Sequence, residues 1–334
     1  MTQQPFDAHA HAPTVAGWQE KLRGILLPFP TPFTSAGEFD AGALRENIAR
    51  WHETGVRGYV ALGSTGERVH LDEREYVAVI ETARAAVPAS HLLVAGAGQQ
   101  SVRHSIAEVE RAANAGADAV LVITPHFYRP AMTQAALVDY YLAVADAAPV
   151  PVILYSMPEL TAVALAPETI AQLAAHEQIV GVKDSSGDIV NFAETLRLAR
   201  ADFAVLTGNG PLCYAALSAG ATGAILAAAC VVPQLACELF RATTGGAHAR
   251  ALMLQRAFTP LARAVTARYG IGGLKYALDL AGYAGGAVRA PLRMPTAEAR
   301  REIAEHLRDA LRYADAMPSA VETTPDSLSA GANV

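Results

Sequence analysis

Short, continuously apolar runs alternate with longer amphipathic segments along most of the chain. Such runs are typical of parallel strands, which are covered on both faces, whereas a half-exposed strand alternates apolar and polar residues. Eight runs are predicted to be strands, at residues 24–27, 58–62, 92–95, 119–123, 152–155, 179–183, 204–206 and 224–226. The pattern therefore predicts an α/β protein built on a parallel sheet.

The segments between the runs carry helix start and stop signals. Asp40 and Thr133 precede segments whose apolar residues recur at helical spacing, so each is predicted to be an N-cap. Asp72 with Glu75 three residues later resembles a capping box. At residues 55–60, 116–120 and 220–225, a glycine and a few small or polar residues lead into the next strand. Glycine at such a point ends a helix, because it adopts the left-handed conformation easily.

Eight strand–helix repeats predict a (β/α)₈ barrel, with a doubly wound open sheet as the alternative. No Gly-x-Gly-x-x-Gly motif follows the first strand, which counts against a dinucleotide-binding sheet. The predicted organisation is a tail at 1–22, the barrel at 23–232, a C-terminal helical extension packed on the barrel at 233–315, and a second tail at 316–334. Both tails are predicted to be disordered.

Composition and charge narrow the classes of partner. Hydrophobic residues make up 52% of the chain and the net charge is -6, so no basic surface is expected for nucleic acid. No apolar run is long enough for a membrane span, and the N-terminus lacks the features of a signal peptide. Cys213, Cys230 and Cys237 have no Cys-x-x-Cys spacing, which favours reduced thiols and a cytoplasmic location. The His9 and His11 pair lacks carboxylate partners, so no metal site is predicted.

Lysine is rare in this chain. The 26 cationic side chains include only three lysines, and Lys183 closes the predicted strand at 179–183. Arginine does not lose its proton in a protein, whereas a desolvated lysine can, and only a neutral amine attacks a carbonyl. The structural alternative is a strand-end lysine that extends into solvent. Lys183 is therefore a candidate nucleophile.

Other polar residues follow the predicted strands at the end where barrel active sites lie. Gly-Ser-Thr-Gly-Glu occupies residues 63–67, Tyr155 ends the fifth strand, and Thr-Gly-Asn-Gly occupies 207–210. With Lys183 they supply an amine, a phenol, hydroxyls and backbone N–H groups, which suit imine chemistry on a small keto acid. Alone, residues 63–67 could be only a tight turn and Tyr155 only a core aromatic. Their joint position at strand ends favours the chemical interpretation.

Three motifs together resemble a known superfamily. They are Gly-Ser-Thr-Gly-Glu at 63–67, Leu-Tyr-Ser-Met-Pro at 154–158 and Gly-Val-Lys-Asp-Ser-Ser-Gly-Asp at 181–188. The chain resembles the dihydrodipicolinate synthase / N-acetylneuraminate lyase superfamily of Schiff-base aldolases over residues 24–292. The resemblance implies a (β/α)₈ barrel, a small-molecule 2-oxo acid substrate, no metal or nucleotide cofactor, and a homotetramer.

The resemblance also implies roles for individual residues. Lys183 would form the imine, and Tyr155 would shuttle protons as the acid and base. Lys275, near the C-terminus, is expected to be structural. The remaining predicted substrate-binding residues are Gly63, Ser64, Thr65, Tyr128, Ser185, Gly208 and Ile225. Of these, Ser64 and Thr65 would bind a pyruvate-type carboxylate, Ser185 would contact the distal part of the substrate, and Tyr128 would replace a relay phenol.

Two departures from the lysine-biosynthesis branch affect the expected substrate. Phe127 stands where that branch has its relay tyrosine, and Leu160 stands where it has an arginine for the second substrate's carboxylate. Residues 264–275 and 285–292 are similar to 4-hydroxy-2-oxoglutarate aldolase of the mitochondrial type. The expected reaction is cleavage of 4-hydroxy-2-oxoglutarate to pyruvate and glyoxylate.

The alternatives are a 2-keto-3-deoxy sugar acid aldolase or dehydratase, a dihydrodipicolinate synthase, and an inactive pyruvate-binding paralogue. The last needs neither a nucleophile nor a proton shuttle, so the presence of both Lys183 and Tyr155 argues against it.

Overall fold

The computed structural model describes residues 17–315, whose eight parallel strands form a closed barrel. The strands are β1 Gly24–Pro28, β2 Gly58–Ala61, β3 Leu92–Ala97, β4 Ala119–Ile123, β5 Val152–Ser156, β6 Ile179–Asp184, β7 Ala204–Thr207 and β8 Gly223–Ile225. Each strand pairs with the next, and β8 pairs with β1. The predicted (β/α)₈ barrel is confirmed, and the open-sheet alternative is wrong. Each predicted strand bound lies within two residues of the observed one.

Helices follow the strands, and their start signals are confirmed. They are α1 Trp18–Lys21, α2 Ala41–His52, α3 Glu73–Ala86, α4 Val102–Asn114, α5 Gln134–Ala147, α6 Pro158–Thr161, α7 Pro167–Leu173, α8 Ile189–Leu198, α9 Cys213–Ser218, α10 Pro233–Thr244, α11 His248–Arg263, α12 Gly270–Leu280 and α13 Ala297–Asp315. The Asp40 and Thr133 side chains each accept a backbone N–H of the first turn, and Asp72 with Glu75 forms the capping box in both directions.

Two apolar clusters explain why the strands are continuously apolar. One cluster takes alternate strand residues such as Leu26 and Ile153 and fills the barrel interior. The other takes the residues between them, such as Leu27 and Leu154, and packs against the surrounding helices. Successive strand residues point to opposite faces, so both faces of every strand must be apolar.

The structure moves two of the predicted boundaries. Helix α10 packs on β1 and α9, the position of the eighth barrel helix, so the barrel continues to Thr244 rather than ending at residue 232. The extension consists of α11, α12 and α13. Trp18 and Leu22 are buried in the interior cluster, so the predicted tail at 1–22 is wrong for residues 17–22. Residues 1–16, with the His9 and His11 pair, and 316–334 lie outside the described residues.

The described part of the chain also bears on the membrane and cysteine predictions. None of its helices combines the length and apolarity that a membrane crossing requires. Cys213, Cys230 and Cys237 are buried free thiols, as predicted. Burial raises the pKa of Cys213 to about 12, so this thiol is protonated and unreactive at neutral pH.

Candidate active site

Lys183 lies at the carboxyl end of β6 and points into the barrel mouth. It is 5% exposed, and its Nζ lies 4.3 Å from the centroid of the Tyr155 ring. The register explains this contact, because Lys183 is the direct β-ladder partner of Tyr155 on β5. Among residues 17–313, no carboxylate forms an ion pair with Lys183. The solvent-exposed alternative is therefore wrong: the amine is buried and held against a phenol ring.

The Tyr155 hydroxyl contacts the loop that follows β2. Its oxygen lies 3.1 Å from Ser64 Oγ, and either oxygen can be the donor. Tyr155 is 4% exposed, and its phenol meets the Ser64 hydroxyl at the cavity wall. A hydroxyl pair of this kind can pass a proton, because each oxygen both donates and accepts.

The β2 loop is a tight, conformationally unusual turn. Residues Ser64–Gly66 form a 3₁₀ turn, and the Thr31 hydroxyl donates to the Gly66 carbonyl at 2.7 Å. Leu62 and Glu67 flank the turn with φ of 57° and 55°, left-handed values that are uncommon outside glycine. Such conformations persist only where surrounding contacts hold them, and they cluster at functional sites. Ser64 is half-buried in the turn, whereas Thr65 is buried.

Gly208 leaves the space that Lys183 and Ser185 occupy. A Cβ on Gly208 would lie 1.9 Å from Ser185 Oγ and 2.8 Å from Lys183 Cε, both far inside van der Waals contact. The Gly208 N–H donates to the Asp184 carbonyl at 2.7 Å, so the backbone cannot retreat without losing that bond. A side chain at position 208 would therefore displace Ser185 and Lys183, so close packing rather than φ favours glycine here.

Eight of the nine predicted site residues line one cavity of about 650 Å³. They are Gly63, Ser64, Thr65, Tyr155, Lys183, Ser185, Gly208 and Ile225. A cavity of this size and mixed polarity is typical of small-molecule sites. Tyr128 does not line it: its side chain is 69% exposed, and its ring packs edge-on against Phe127 with centroids 5.1 Å apart. The predicted binding role of Tyr128 is thus not supported within a single chain, because the loop after β4 turns both rings outward.

Sequence reasoning missed several residues of the cavity wall. His70, Glu159 and Arg263 line the cavity, and so does His126, which carried no assigned role. Arg263 and the adjoining π-helical turn Ala264–Arg268 come from the C-terminal extension. Periodicity predicts that this extension is helical but not which of its faces reaches the barrel mouth. Leu160 also lines the cavity, which places an apolar side chain in the wall.

Two buried charged groups adjoin the site. Burial raises the pKa of Asp184, although its Oδ1 accepts the Ser186 N–H at 2.7 Å. Burial lowers the pKa of Lys275, and the Glu67 carboxylate beside it opposes that shift. Lys275 is 0% exposed and does not line the cavity, in agreement with the structural role expected for it.

A closed parallel barrel whose strand ends surround one enclosed cavity is the architecture of the (β/α)₈-barrel enzymes. Comparison with known proteins narrows that class. The dihydrodipicolinate synthetase family model matches residues 21–310, and the chain belongs to this family. The superfamily predicted from the three motifs is thereby confirmed.

Individual relatives match over most of their length. The 4-hydroxy-tetrahydrodipicolinate synthase of Haloarcula marismortui is 34% identical over 291 residues, which cover 87% of this chain and 93% of the relative. The synthase of Methanothrix thermoacetophila is 35% identical over 292 residues, covering 87% and 96%. A solved dihydrodipicolinate synthase from Bacillus anthracis has a TM-score of 0.83 at 26% identity, covering 89% of this chain and 99% of that one. The Acinetobacter baumannii enzyme, solved with pyruvate, has a TM-score of 0.83 at 28% identity, covering 86% and 99%.

These relatives favour one of the alternatives over the lead expectation. Their names agree with the dihydrodipicolinate synthase alternative. The closer likeness to 4-hydroxy-2-oxoglutarate aldolase, drawn from residues 264–275 and 285–292, stays a prediction.

Proposed function

We propose that the protein is a lyase that joins or breaks a carbon–carbon bond through an imine between Lys183 and a pyruvate-type 2-oxo acid. The observation that carries this proposal is the geometry at the barrel mouth. The Lys183 amine lies 4.3 Å from the Tyr155 ring centroid, and the Tyr155 hydroxyl lies 3.1 Å from Ser64. Nucleophile, proton shuttle and carboxylate-binding turn therefore surround one point of a shared cavity.

Each residue has a defined part in the proposed reaction. Neutral Lys183 attacks the C2 ketone, and loss of water leaves a protonated imine. Tyr155 moves protons to and from the reacting carbons and oxygens, with Ser64 as its hydrogen-bond partner. The backbone N–H groups and hydroxyls of Ser64 and Thr65 hold the C1 carboxylate, whereas the Gly66 N–H is already donated to the Gly63 carbonyl. No metal or nucleotide takes part, because the imine itself is the electron sink.

The imine supports both directions of the reaction. Loss of a C3 proton from lysine-bound pyruvate gives an enamine, whose C3 adds to an aldehyde to form a new C–C bond. In reverse, a 4-hydroxy-2-oxo acid bound as the imine loses its C4 hydroxyl proton, and the C3–C4 bond breaks to an aldehyde and the same enamine. Synthase and aldolase activities thus share the lysine and the tyrosine and differ in the aldehyde.

Of these activities, we rank 4-hydroxy-tetrahydrodipicolinate synthesis first. Relatives at 34% and 35% identity, matched over more than nine-tenths of their length, carry that name. Cleavage of 4-hydroxy-2-oxoglutarate is the second candidate, and the likeness of residues 264–275 and 285–292 to that aldolase favours it. Leu160 lines the cavity where the synthase branch has a cation for its second substrate, which counts against the synthase. The distal carboxylate of 4-hydroxy-2-oxoglutarate needs a hydrogen-bond partner as well, so Leu160 does not by itself select the aldolase.

Borohydride trapping tests the imine. The protein is incubated with pyruvate, reduced with borohydride and weighed, and we expect one reduced pyruvate per chain, mapped to Lys183. An unchanged mass would exclude the proposed chemistry. The two activities are then separated by products: glyoxylate released from 4-hydroxy-2-oxoglutarate supports the aldolase, whereas pyruvate consumption that requires the synthase's aldehyde substrate supports the synthase.

The proposed assembly is a homotetramer located in the cytoplasm. Phe127 and Tyr128 are both about 70% exposed and lie side by side beyond β4, so they present an apolar patch suited to a second copy of the chain. One structural relative is described as a monomeric dihydrodipicolinate synthase variant, so assembly varies among these proteins. Light scattering of the purified chain tests this state.

A further inference from the structure

A buried ion pair joins the C-terminal extension to the β2 loop. Lys275 Nζ on α12 lies 2.6 Å from Glu67 Oε1 and donates to the Ala287 carbonyl at 2.5 Å. The side chains of Lys275 and Glu67 are 0% and 1% exposed. Glu67 directly follows the Ser64–Gly66 turn, so the C-terminal extension contacts the segment proposed to hold the substrate carboxylate.

The second carboxylate oxygen of Glu67 is held by the same extension. Oε2 accepts the Arg289 backbone N–H at 3.1 Å and lies 3.3 Å from His70 Nδ1. The Arg289 guanidinium continues the contact: it donates to the carbonyls of Gly37 and His70 and to the Glu75 carboxylate. Residues after α12 therefore bind the loops that follow both β1 and β2.

An aromatic ring completes the cluster. Phe33, in the loop after β1, has Lys275 Nζ 4.4 Å and Arg289 Cζ 4.2 Å from its ring centroid. Its carbonyl accepts the Ala287 N–H at 2.9 Å. Gly285 allows the chain to return this closely, because a Cβ there would lie 2.0 Å from the Lys275 carbonyl oxygen.

The presence of charge in this cluster needs a reason other than stability. Removing two charges from water is costly, and apolar residues of similar volume often replace a buried ion pair without loss of stability. The best-attested use of such a pair is to specify one arrangement among several. Here the turn is flanked by the left-handed Leu62 and Glu67, an arrangement that surrounding contacts must hold in place.

We propose that Lys275 and Glu67 are positioning residues that hold the Ser64–Gly66 turn in its carboxylate-binding conformation. The identity of the ligand in this inference rests on the proposed function, whereas the conformation of the turn does not. Neither residue touches the reacting atoms in this account. Through this ion pair the C-terminal extension controls affinity for the 2-oxo acid.

The test removes both charges and keeps the side-chain shapes, in the double variant Glu67→Gln/Lys275→Met. The single Lys275→Met change is unsuitable alone, because it leaves a carboxylate buried without its cation. We expect the half-saturating pyruvate concentration for borohydride labelling of Lys183 to rise about tenfold or more, with the labelling rate at saturation changed less than about threefold. Hydrogen exchange of the unliganded variant should be faster at the amides of residues 63–67.

The matched control is Arg84→Met/Asp118→Asn, which removes an ion pair of 3.0 Å between α3 and the segment before β4. It should lower the unfolding temperature and leave the half-saturating concentration and the exchange at 63–67 unchanged. Unchanged exchange at 63–67 in the Glu67/Lys275 variant would overturn the inference, whatever the chemistry. Faster exchange together with no pyruvate labelling of the parent protein would support the positioning role and refute only the proposed function.

Discussion

Substitution of Gly208 by alanine tests how closely Lys183, the proposed nucleophile, is packed. The new methyl group would lie 1.9 Å from Ser185 Oγ and 2.8 Å from Lys183 Cε, whereas unstrained contacts are near 3.5 Å. To restore an unstrained contact, the Ser185 hydroxyl must move by roughly 1.6 Å and the Lys183 Cε by roughly 0.7 Å. The backbone cannot easily retreat, because the Gly208 N–H is bonded to the Asp184 carbonyl at 2.7 Å.

Two magnitudes follow from this displacement. Overpacking a buried site costs about 1–3 kcal/mol, which should lower the unfolding temperature by a few degrees. Moving a reacting group by about 1 Å can cost about a hundredfold in rate. We therefore expect the Gly208→Ala protein to fold and to label Lys183 with pyruvate and borohydride about a hundredfold more slowly. Thermal unfolding and the time course of labelling measure the two effects separately.

A second variant separates the two contacts. In Ser185→Ala/Gly208→Ala the 1.9 Å clash with the hydroxyl is gone, but the 2.8 Å contact with Lys183 Cε and the 3.1 Å contact with the Cβ of residue 185 remain. The unfolding temperature should recover in part, while labelling should stay slow. The control Gly42→Ala lies in α2 with its nearest neighbour at 3.4 Å, so it should be as stable as the parent or more so and label normally. Parent-like labelling by Gly208→Ala would refute the claim that the lysine is held by close packing.

Three further changes probe the remaining groups. Tyr155→Phe removes the hydroxyl that lies 3.1 Å from Ser64 Oγ, and it should lower turnover about 10²–10⁴-fold with little loss of stability. The control Tyr141→Phe removes a hydrogen-bond donor to the Val122 carbonyl, and it should lower stability and leave turnover unchanged. The reverse pattern would contradict the assignment of Tyr155 as the proton shuttle. Lys183→Met should abolish labelling without lowering the unfolding temperature, since no described carboxylate loses a partner; residual labelling would mean that another amine reacts. Arg289 lowers the pKa of Glu75 below its ordinary 4.5, so this carboxylate contributes stability above pH 4.5 that is lost as pH falls through the lower folded-state pKa. In urea unfolding at pH 7, Glu75→Gln should therefore have a lower free energy of unfolding than the parent, and this difference should shrink below pH 4.5. A difference that does not change with pH would contradict an origin in the ion pair with Arg289.

Much of the fold could be predicted from local pattern. The eight strands and the caps at Asp40, Asp72 and Thr133 depend on apolar periodicity and on hydrogen bonds within one turn, which neighbours in sequence decide. The end of the barrel, predicted at residue 232, could not be located from such local signals. The sequence of α10 has the composition of any amphipathic helix, and only its packing on β1 and α9 identifies it as the eighth barrel helix.

The candidate site divides in the same way. The adjacent position of Lys183 and Tyr155 is predictable, because parallel strands of a barrel bring their carboxyl ends to one mouth and neighbouring strands place these residues side by side. The position of Tyr128 could not be predicted in the same way, because the direction of a long loop depends on contacts that its own sequence does not specify. Its ring lies outside the cavity of the single chain, and its binding role stays a prediction.

The sequence by itself thus determined the closed barrel, the position of Lys183 at its mouth and the family, since each depends on residues close together along the chain or on a repeated period. Tertiary structure alone decided that Gly208 makes room for the lysine, that Arg263 enters the cavity wall, and that Lys275 is buried against Glu67. These contacts join residues far apart in sequence. Their geometry is set by how the extension packs on the barrel, and a one-dimensional pattern of apolar and polar positions carries no information about that orientation.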